Sequence, residues 1–519
     1  MILGLVGILL SLALLITLAY RGMSIIIAAP LCALVAMLFS GAPVLVNYTD
    51  TFMPALADFI GQYFPLFLTG AIFGKLMTVS GYATDLAASI TRWVGSRRAM
   101  LATVLTTALL TYGGISVFVV VFVMFPLARE LFRQAGIPRR LIPGAIAHGM
   151  LTFTMTALPG SPQVQNIIPG QAFETNTFAA PGVGILGGTV IFILGMFWLE
   201  GRKRRLMAAG EVFGDPTAAE RRTSAAEARA QSAGPGAAAA GSAVSSSAEA
   251  GTAASGGRPT QSTAPSTQST APSAQPTAPS DDGQGPALRP PNHLVPFIPI
   301  LMVFAINFGC TVLVFPAMGW EHLADYGTSL GERSGVWAVL CAMLGAILSI
   351  LLLNIRNLRR LLSEVTQGAR DSLTPIFNTA SEVGYGAVIA SLAAFTIIRD
   401  GIFGLTGNAL VTSAVSTSTI AGVTGSASGG MTIALNALGD DLQAMAADQG
   451  ISMEIMHRIT AMASGGLDSM PHNGAVITLL LVCGMTHRES YKDVGVVSLV
   501  IPVLVTAALI PLALATGVF

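Results

Sequence analysis

The sequence predicts an all-α polytopic membrane protein with about ten transmembrane helices plus two re-entrant hairpins, arranged in two inverted repeats. Three observations carry that prediction: the composition, the spacing of the apolar runs, and the placement of basic residues between them. Of 519 residues, 52% are hydrophobic and 10% are charged, with mean hydropathy +0.68; soluble domains carry about 25% charged residues. Lys+Arg and Asp+Glu both number 27, so net charge points to no nucleic-acid partner. The four cysteines, Cys32, Cys310, Cys341 and Cys483, lie in apolar stretches without CxxC spacing. They read as small core residues rather than metal ligands.

A spanning helix needs about 20 predominantly apolar residues. Candidates are 2 to 20, 23 to 41, 55 to 79, 142 to 177, 182 to 199, 294 to 316, 335 to 355, 373 to 398, 455 to 486 and 493 to 516. The first lacks a basic n-region and is followed by another apolar run after Arg21 and Gly22, which favours a retained helix over a cleaved signal. The fourth and ninth are too long for one helix and are punctuated by Gly and Pro, so they read as broken spans. Stretches 99 to 128 and 405 to 438 are interrupted by Tyr112-Gly113-Gly114 and by the glycine-rich run Gly422 to Gly430. Arms of about 14 residues reach only about 21 Å, short of a core of about 30 Å. Both therefore read as re-entrant hairpins.

Basic clusters test this arrangement, because cytoplasmic loops carry the excess of Lys and Arg. They occur at Arg92, Arg97 and Arg98; at Arg129, Arg133, Arg139 and Arg140; at Arg202 to Arg205; at Arg356, Arg359, Arg360 and Arg370; and at Arg488 and Lys492. A hairpin over 99 to 128 puts every cluster inside, whereas a single crossing would split the first two. No Lys or Arg occurs from Met23 to Gly74 or from Asp400 to His457, which places those loops and both termini outside. Residues 1 to 205 then form the first repeat and 292 to 519 the second. Between them, 206 to 291 is rich in Ala, Ser, Gly, Pro and Thr and reads as a disordered cytoplasmic linker.

Each repeat holds three spans, a hairpin, a broken span and a final span, which inverts the second relative to the first. Gln134-Ala135-Gly136-Ile137 pairs with Asp448-Gln449-Gly450-Ile451 ahead of the breaks, and Leu158-Pro159-Gly160 with Met470-Pro471-His472 inside them. Unwound backbone is tolerated at membrane depth only where protein or a watery cavity satisfies it. The interruptions are therefore expected to converge on a site, with half-helices restarting after Asn166 and Gly474 and hairpin arms restarting after Gly114 and Gly430. Their positive dipole ends suit an anion. Ser161, Gln163, Gln165, Asn166, Ser469 and Asn473 supply donors from the breaks; Tyr112, Gly114, Ser116, Thr424, Ser426 and Ser428 do so from the hairpins. Interhelical hydrogen bonding is the competing use of such residues. Ionisable groups at this depth mark coupling sites by default, and these are Asp468, His148, His472 and Glu382. Lys75, near a helix end, reads as snorkelling.

The stretches Phe73-Gly74-Lys75-Leu76-Met77 to Ser80-Gly81, Ala147-His148 to Pro162, Gly425-Ser426-Ala427-Ser428, and Asp468-Ser469-Met470-Pro471-His472-Asn473-Gly474 resemble the gluconate permease (GntP) family of the ion-transporter superfamily. The resemblance covers both halves but not the linker. It implies a permease of the inner membrane that couples H+ to uptake of a small organic anion, such as gluconate, a related sugar acid or a hydroxycarboxylate. It further implies a homodimer working by an elevator motion, without an organic cofactor or bound metal. A Na+-coupled citrate or dicarboxylate carrier fits the same residues. A membrane-embedded hydrolase would need Ser116 or Ser426 beside His148, but neither serine has a GxSG context, so the sequence does not read as an enzyme. A channel is disfavoured because midplane half-helices from both repeats suit a closed, alternating site.

Overall fold

The computed structural model describes residues 2–21, 23–95, 98–214, 294–405 and 407–516. Every regular element among them is helical, and the chain is a multi-pass membrane protein. Five helices are long and apolar enough to cross a bilayer unaided: Val44–Val79, Pro181–Ala208, Val295–Ala317, Leu330–Leu353 and His487–Ala515. A sixth candidate, Ile355–Ser391 followed by Phe395–Gly404, bends by 89° at the break. The expected spans 2 to 20 and 23 to 41 form the helices Ile2–Tyr20 and Ile25–Ser40, which at 19 and 16 residues are shorter than those five. The polar linker lies almost wholly outside the described residues.

Large apolar side chains such as Leu3, Ile193, Phe197, Leu301, Leu313 and Leu504 point outward, as hydrocarbon permits and water would not. Inside, small residues set the spacing. Ala28, Ala29, Cys32, Ala33 and Ala36 are all buried on Ile25–Ser40, and such residues let helix backbones approach closely where lipid offers no hydrophobic drive to association.

Corresponding parts of the two halves pack in the same way. Ile2–Tyr20 lies on Ile25–Ser40, and Ile298–Phe308 lies on Leu330–Leu353. Val44–Val79 packs on Leu330–Leu353 while Leu373–Ser391 packs on Ile25–Ser40, and these third helices also touch each other. In both halves the first hairpin arm lies against the opening segment of that half's broken helix: Ala99–Tyr112 on Ile142–Met150, and Ala409–Thr424 on Met453–Leu467. The second arms exchange partners, Val117–Gln134 meeting Gly474–Cys483 and Ala427–Asp448 meeting Ile168–Ala172.

Two features depart from the sequence reading. Tyr82–Val94 and Leu358–Asp371 are amphipathic helices, whose mixture of apolar and charged residues at helical spacing falls below a hydropathy threshold for spanning. The span expected over 373 to 398 stops at Ser391, because Leu392 adopts an extended conformation and turns the chain into Phe395–Leu405. Arg399 on that segment pairs with Asp441 at the far end of the second hairpin. Lys75, expected to snorkel, lies 3.5 Å from Glu364 of the amphipathic Leu358–Asp371.

Candidate functional site

The second hairpin turns within two residues. Ala409–Thr424 ends at Gly425, whose φ of +69° is left-handed and costs glycine nothing. Ser426 is then extended and caps Ala427–Asp448, its Oγ accepting from Gly429 N at 3.1 Å. The interruption read over Gly422 to Gly430 is thus confined to Gly425-Ser426. Gly429 and Gly430 enter the helix, where Gly430 lets the arms close, since a Cβ there would lie 2.3 Å from Ala421 Cα.

The second break follows the same logic. Met453–Leu467 ends at Asp468, and the chain restarts as Gly474–Cys483 behind an Asn473 cap whose Oδ1 accepts from Val476 N at 2.8 Å. Asn473 Nδ2 also donates to Gly425 O at 2.8 Å. One side chain therefore ties the restart of the broken helix to the turn of the hairpin and brings two helix N-termini to one place. His472 joins them: a Cβ on Gly425 would lie 2.8 Å from its Cδ2, and its buried Nε2 has no hydrogen-bond partner among the described residues. Ser428 is buried in the first turn of Ala427–Asp448.

Glu382 reaches this point from Leu373–Ser391. The residue is 6% exposed, and its Oε2 has no hydrogen-bond partner among the described residues. A Cβ built on Gly429 would lie 2.1 Å from that oxygen, so the carboxyl sits directly on the first turn of the hairpin helix. Asp468 and Ser469 occupy the other side of the break. Asp468 Oδ1 accepts from Ser469 Oγ at 3.1 Å, and Tyr491 Oη donates to Ser469 O at 3.0 Å. His487 Nε2 donates to Pro471 O at 2.8 Å, so the final helix braces the break.

In the first half the hairpin turns at Gly114, with φ +91°. It is also tied to its own break: Tyr112 Oη donates to Pro159 O and Gln163 Nε2 donates to Thr111 O, both at 2.7 Å. Ser161 Oγ donates to Thr154 O at 2.7 Å, and Asn166 Nδ2 donates to Ser161 O and Thr177 O at 2.9 Å each. These groups therefore brace the break's own backbone. Gln165 is half-buried beside them. The restart expected after Asn166 amounts to one 3-10 turn, Val164–Asn166, and the five-residue Ile168–Ala172. Pro162, Pro169 and Gly170 crowd the segment, and each proline removes an N–H. A helix that short carries little dipole, so the positive potential of the site belongs mainly to the second half.

The sequence reading missed Arg458, which is fully buried on Met453–Leu467. Its Nη1 donates to Asn166 Oδ1 at 2.6 Å, its Nε to Ala179 O at 3.0 Å, and its Nη2 to Thr177 O at 3.1 Å and Ala179 O at 2.8 Å. Its neighbour His457 meets Thr175 Oγ1 through Nδ1 at 2.7 Å. The planar guanidinium fork thus closes the far end of the first break. Arg139 serves the second half in a similar way, donating through Nη2 to Cys483 O at 2.7 Å where Gly474–Cys483 ends. The signal for Arg458 was a lone cation in an otherwise apolar run, which is itself a functional flag.

The structure therefore gathers Ser426, Ser428, Asn473, His472 and Glu382 at the second hairpin turn, and Tyr112, Gly114 and Gln163 at the first, with Asn166 held by Arg458 and Ser161 by Asn166. His148 stands apart from both turns. Its ring stacks on Phe192 and meets the edge of Phe153, with centroids 6.1 and 5.6 Å away, and Nε2 bonds to Phe192 O at 3.2 Å.

Over 511 residues the chain is 39% identical to the uncharacterized transporter YxjC of Bacillus subtilis (strain 168), with 96% of each chain covered. Among solved structures, the Alcanivorax borkumensis YdaH transporter, described as having an unusual topology, is similar with a TM-score of 0.51. It is 14% identical, with 92% of this chain and 90% of that one covered, a likeness of fold alone. No family profile matches the chain.

Proposed function

The chain belongs to the same transporter family as Bacillus subtilis YxjC, and on that premise we propose that it is a proton-coupled symporter of a small organic anion. Gluconate, a related sugar acid or a hydroxycarboxylate is the substrate class, and the bacterial inner membrane is the site of action. The observation that carries this reading is the convergence of two capped helix N-termini, at Ser426 and Asn473, joined by the 2.8 Å bond from Asn473 Nδ2 to Gly425 O. Each N-terminus presents unsatisfied N–H groups and a partial positive charge. Together they suit a carboxylate in a setting where free charge is expensive.

The matched packing of the halves supports two inverted repeats, with hairpins and broken helices as a mobile unit. An elevator displacement of that unit against a scaffold of the remaining helices, within a homodimer, would carry the anion across. Asp468, His472, Glu382 and His148 are the ion-coupling candidates, and the resemblance to gluconate permeases favours H+ over Na+. Right-side-out vesicles provide the test. Labelled organic acid should accumulate above its external concentration and leak out when a protonophore is added. Accumulation that survives collapse of both the proton and sodium gradients would overturn the coupled reading.

A further inference from the structure

The most informative buried group is a carboxyl in an unexpected place. Glu382 stands where an anionic substrate should bind: against the first turn of Ala427–Asp448, beside the Ser426 cap, with one oxygen unpartnered. A carboxylate at a helix N-terminus is a favourable arrangement, so the protein carries its own occupant for this anion seat. Among the described residues no ion pair engages Glu382. The elements packed around it carry Asp50, Asp58 and Lys75 on Val44–Val79, Arg359, Arg360, Glu364, Arg370 and Asp371 on Leu358–Asp371, and Arg399 and Asp400 on Phe395–Leu405. Ala427–Asp448 bears Asp440, Asp441 and Asp448 toward its far end, and the neighbouring break bears Asp468 and His472. The Ser426 hydroxyl adjoins the Glu382 carboxyl.

Resting on the organic-anion reading above, we propose that Glu382 is a resident competitor for the anion seat, and that its protonation admits the substrate carboxylate. Two carboxylates sharing one helix terminus in a low-dielectric site cannot both stay ionised. A proton from the outer solution binds Glu382, the substrate carboxylate settles at the N-terminus of the hairpin helix in its place, and one proton enters with each bound anion. After the anion leaves on the inner side, Glu382 returns the proton to the cytoplasm and reclaims the helix terminus. By linkage, each pH unit above the acid's titration then lowers anion affinity about tenfold. The same exchange explains why residue 429 is glycine, since any side chain would collide with the carboxyl.

The test uses the full chain in detergent, with gluconate, citrate and malate as probes, and reads affinity across pH together with proton uptake in weakly buffered solution. Wild type should take up about one proton per anion bound, as the one-site linkage requires. Glu382→Gln should bind the same anion with pH-independent affinity and no proton uptake. Gly429→Ala, which would push the carboxyl off the helix terminus, serves if Glu382→Gln does not fold, and should flatten the pH dependence by at least half. Proton uptake that persists in Glu382→Gln, or an unchanged pH profile in Gly429→Ala, overturns this proposal and leaves the transport reading standing. If wild type neither binds nor exchanges any of the probes, the parent reading falls and takes this one with it.

Discussion

Asn473→Ala removes a side chain that joins the second break to the second hairpin. Two bonds disappear: the cap on Val476 N and the donation to Gly425 O, each 2.8 Å. Loss of an Asn cap costs about 1 kcal/mol, and loss of a neutral hydrogen bond about 1 kcal/mol more. If the pair of helix N-termini forms the anion site, about 2 kcal/mol is withdrawn from its pre-organisation, an approximately 30-fold loss of apparent affinity. Asn473→Ser keeps a capping oxygen but cannot reach Gly425 in the same way, so it should lose about fivefold, the equivalent of about 1 kcal/mol. The assay is uptake KM in vesicles, normalised to the amount of transporter, alongside the melting temperature of purified protein. Wild-type KM in Asn473→Ala at normal expression would refute the placement of the site.

Arg458→Leu should destabilise the protein by about 3 kcal/mol or more, because Asn166, Thr177 and Ala179 all lose a charged donor; Arg458→Lys should rescue little, since an ammonium cannot reproduce the fork. Melting temperatures within error of wild type would show that the first break does not depend on Arg458. Gly425→Ala should cost about 1–2 kcal/mol for the left-handed backbone alone, plus a clash with the His472 ring, and should cut uptake by about tenfold. Gly450→Ala, equally left-handed but with open space around it, should leave uptake near normal. In a background with the four native cysteines replaced by serine, an impermeant thiol reagent should reach Cys introduced at Gly113 from the cytoplasmic side and Cys introduced at Gly425 from the outer side. Labelling from the opposite faces would break the inverted-repeat reading.

The membrane-embedded helical architecture was legible because hydropathy and basic-residue placement report directly on solvent. The interruption points were legible for a related reason: Gly-Pro clusters such as Leu158 to Pro162 and Met470 to Gly474 cannot continue a helix. Less legible was how each interruption resolves. One-turn details decide it, so Pro169-Gly170 leaves the first restart only five residues long while Gly474–Cys483 runs for ten. Glu382 was found as an acid at depth, but its seat on Gly429 depends on a packing 47 residues away in sequence. The surroundings of His148, made by Phe192 and Gly195 from the next helix, are equally non-local. Arg458 carries its own sign in the sequence, a single guanidinium within the otherwise apolar Ile455 to Leu467, but its partners Asn166, Thr177 and Ala179 lie in the other half of the chain.

Substrate protection of a thiol at position 428 is the sharpest probe of whether an organic anion binds where the second hairpin turn meets the second break. Ser428→Cys in the cysteine-free background should react with a small methanethiosulfonate reagent. The organic acid that most raises the protein's melting temperature should slow that reaction several-fold. If it binds with full affinity and leaves the labelling rate unchanged, the anion sits elsewhere.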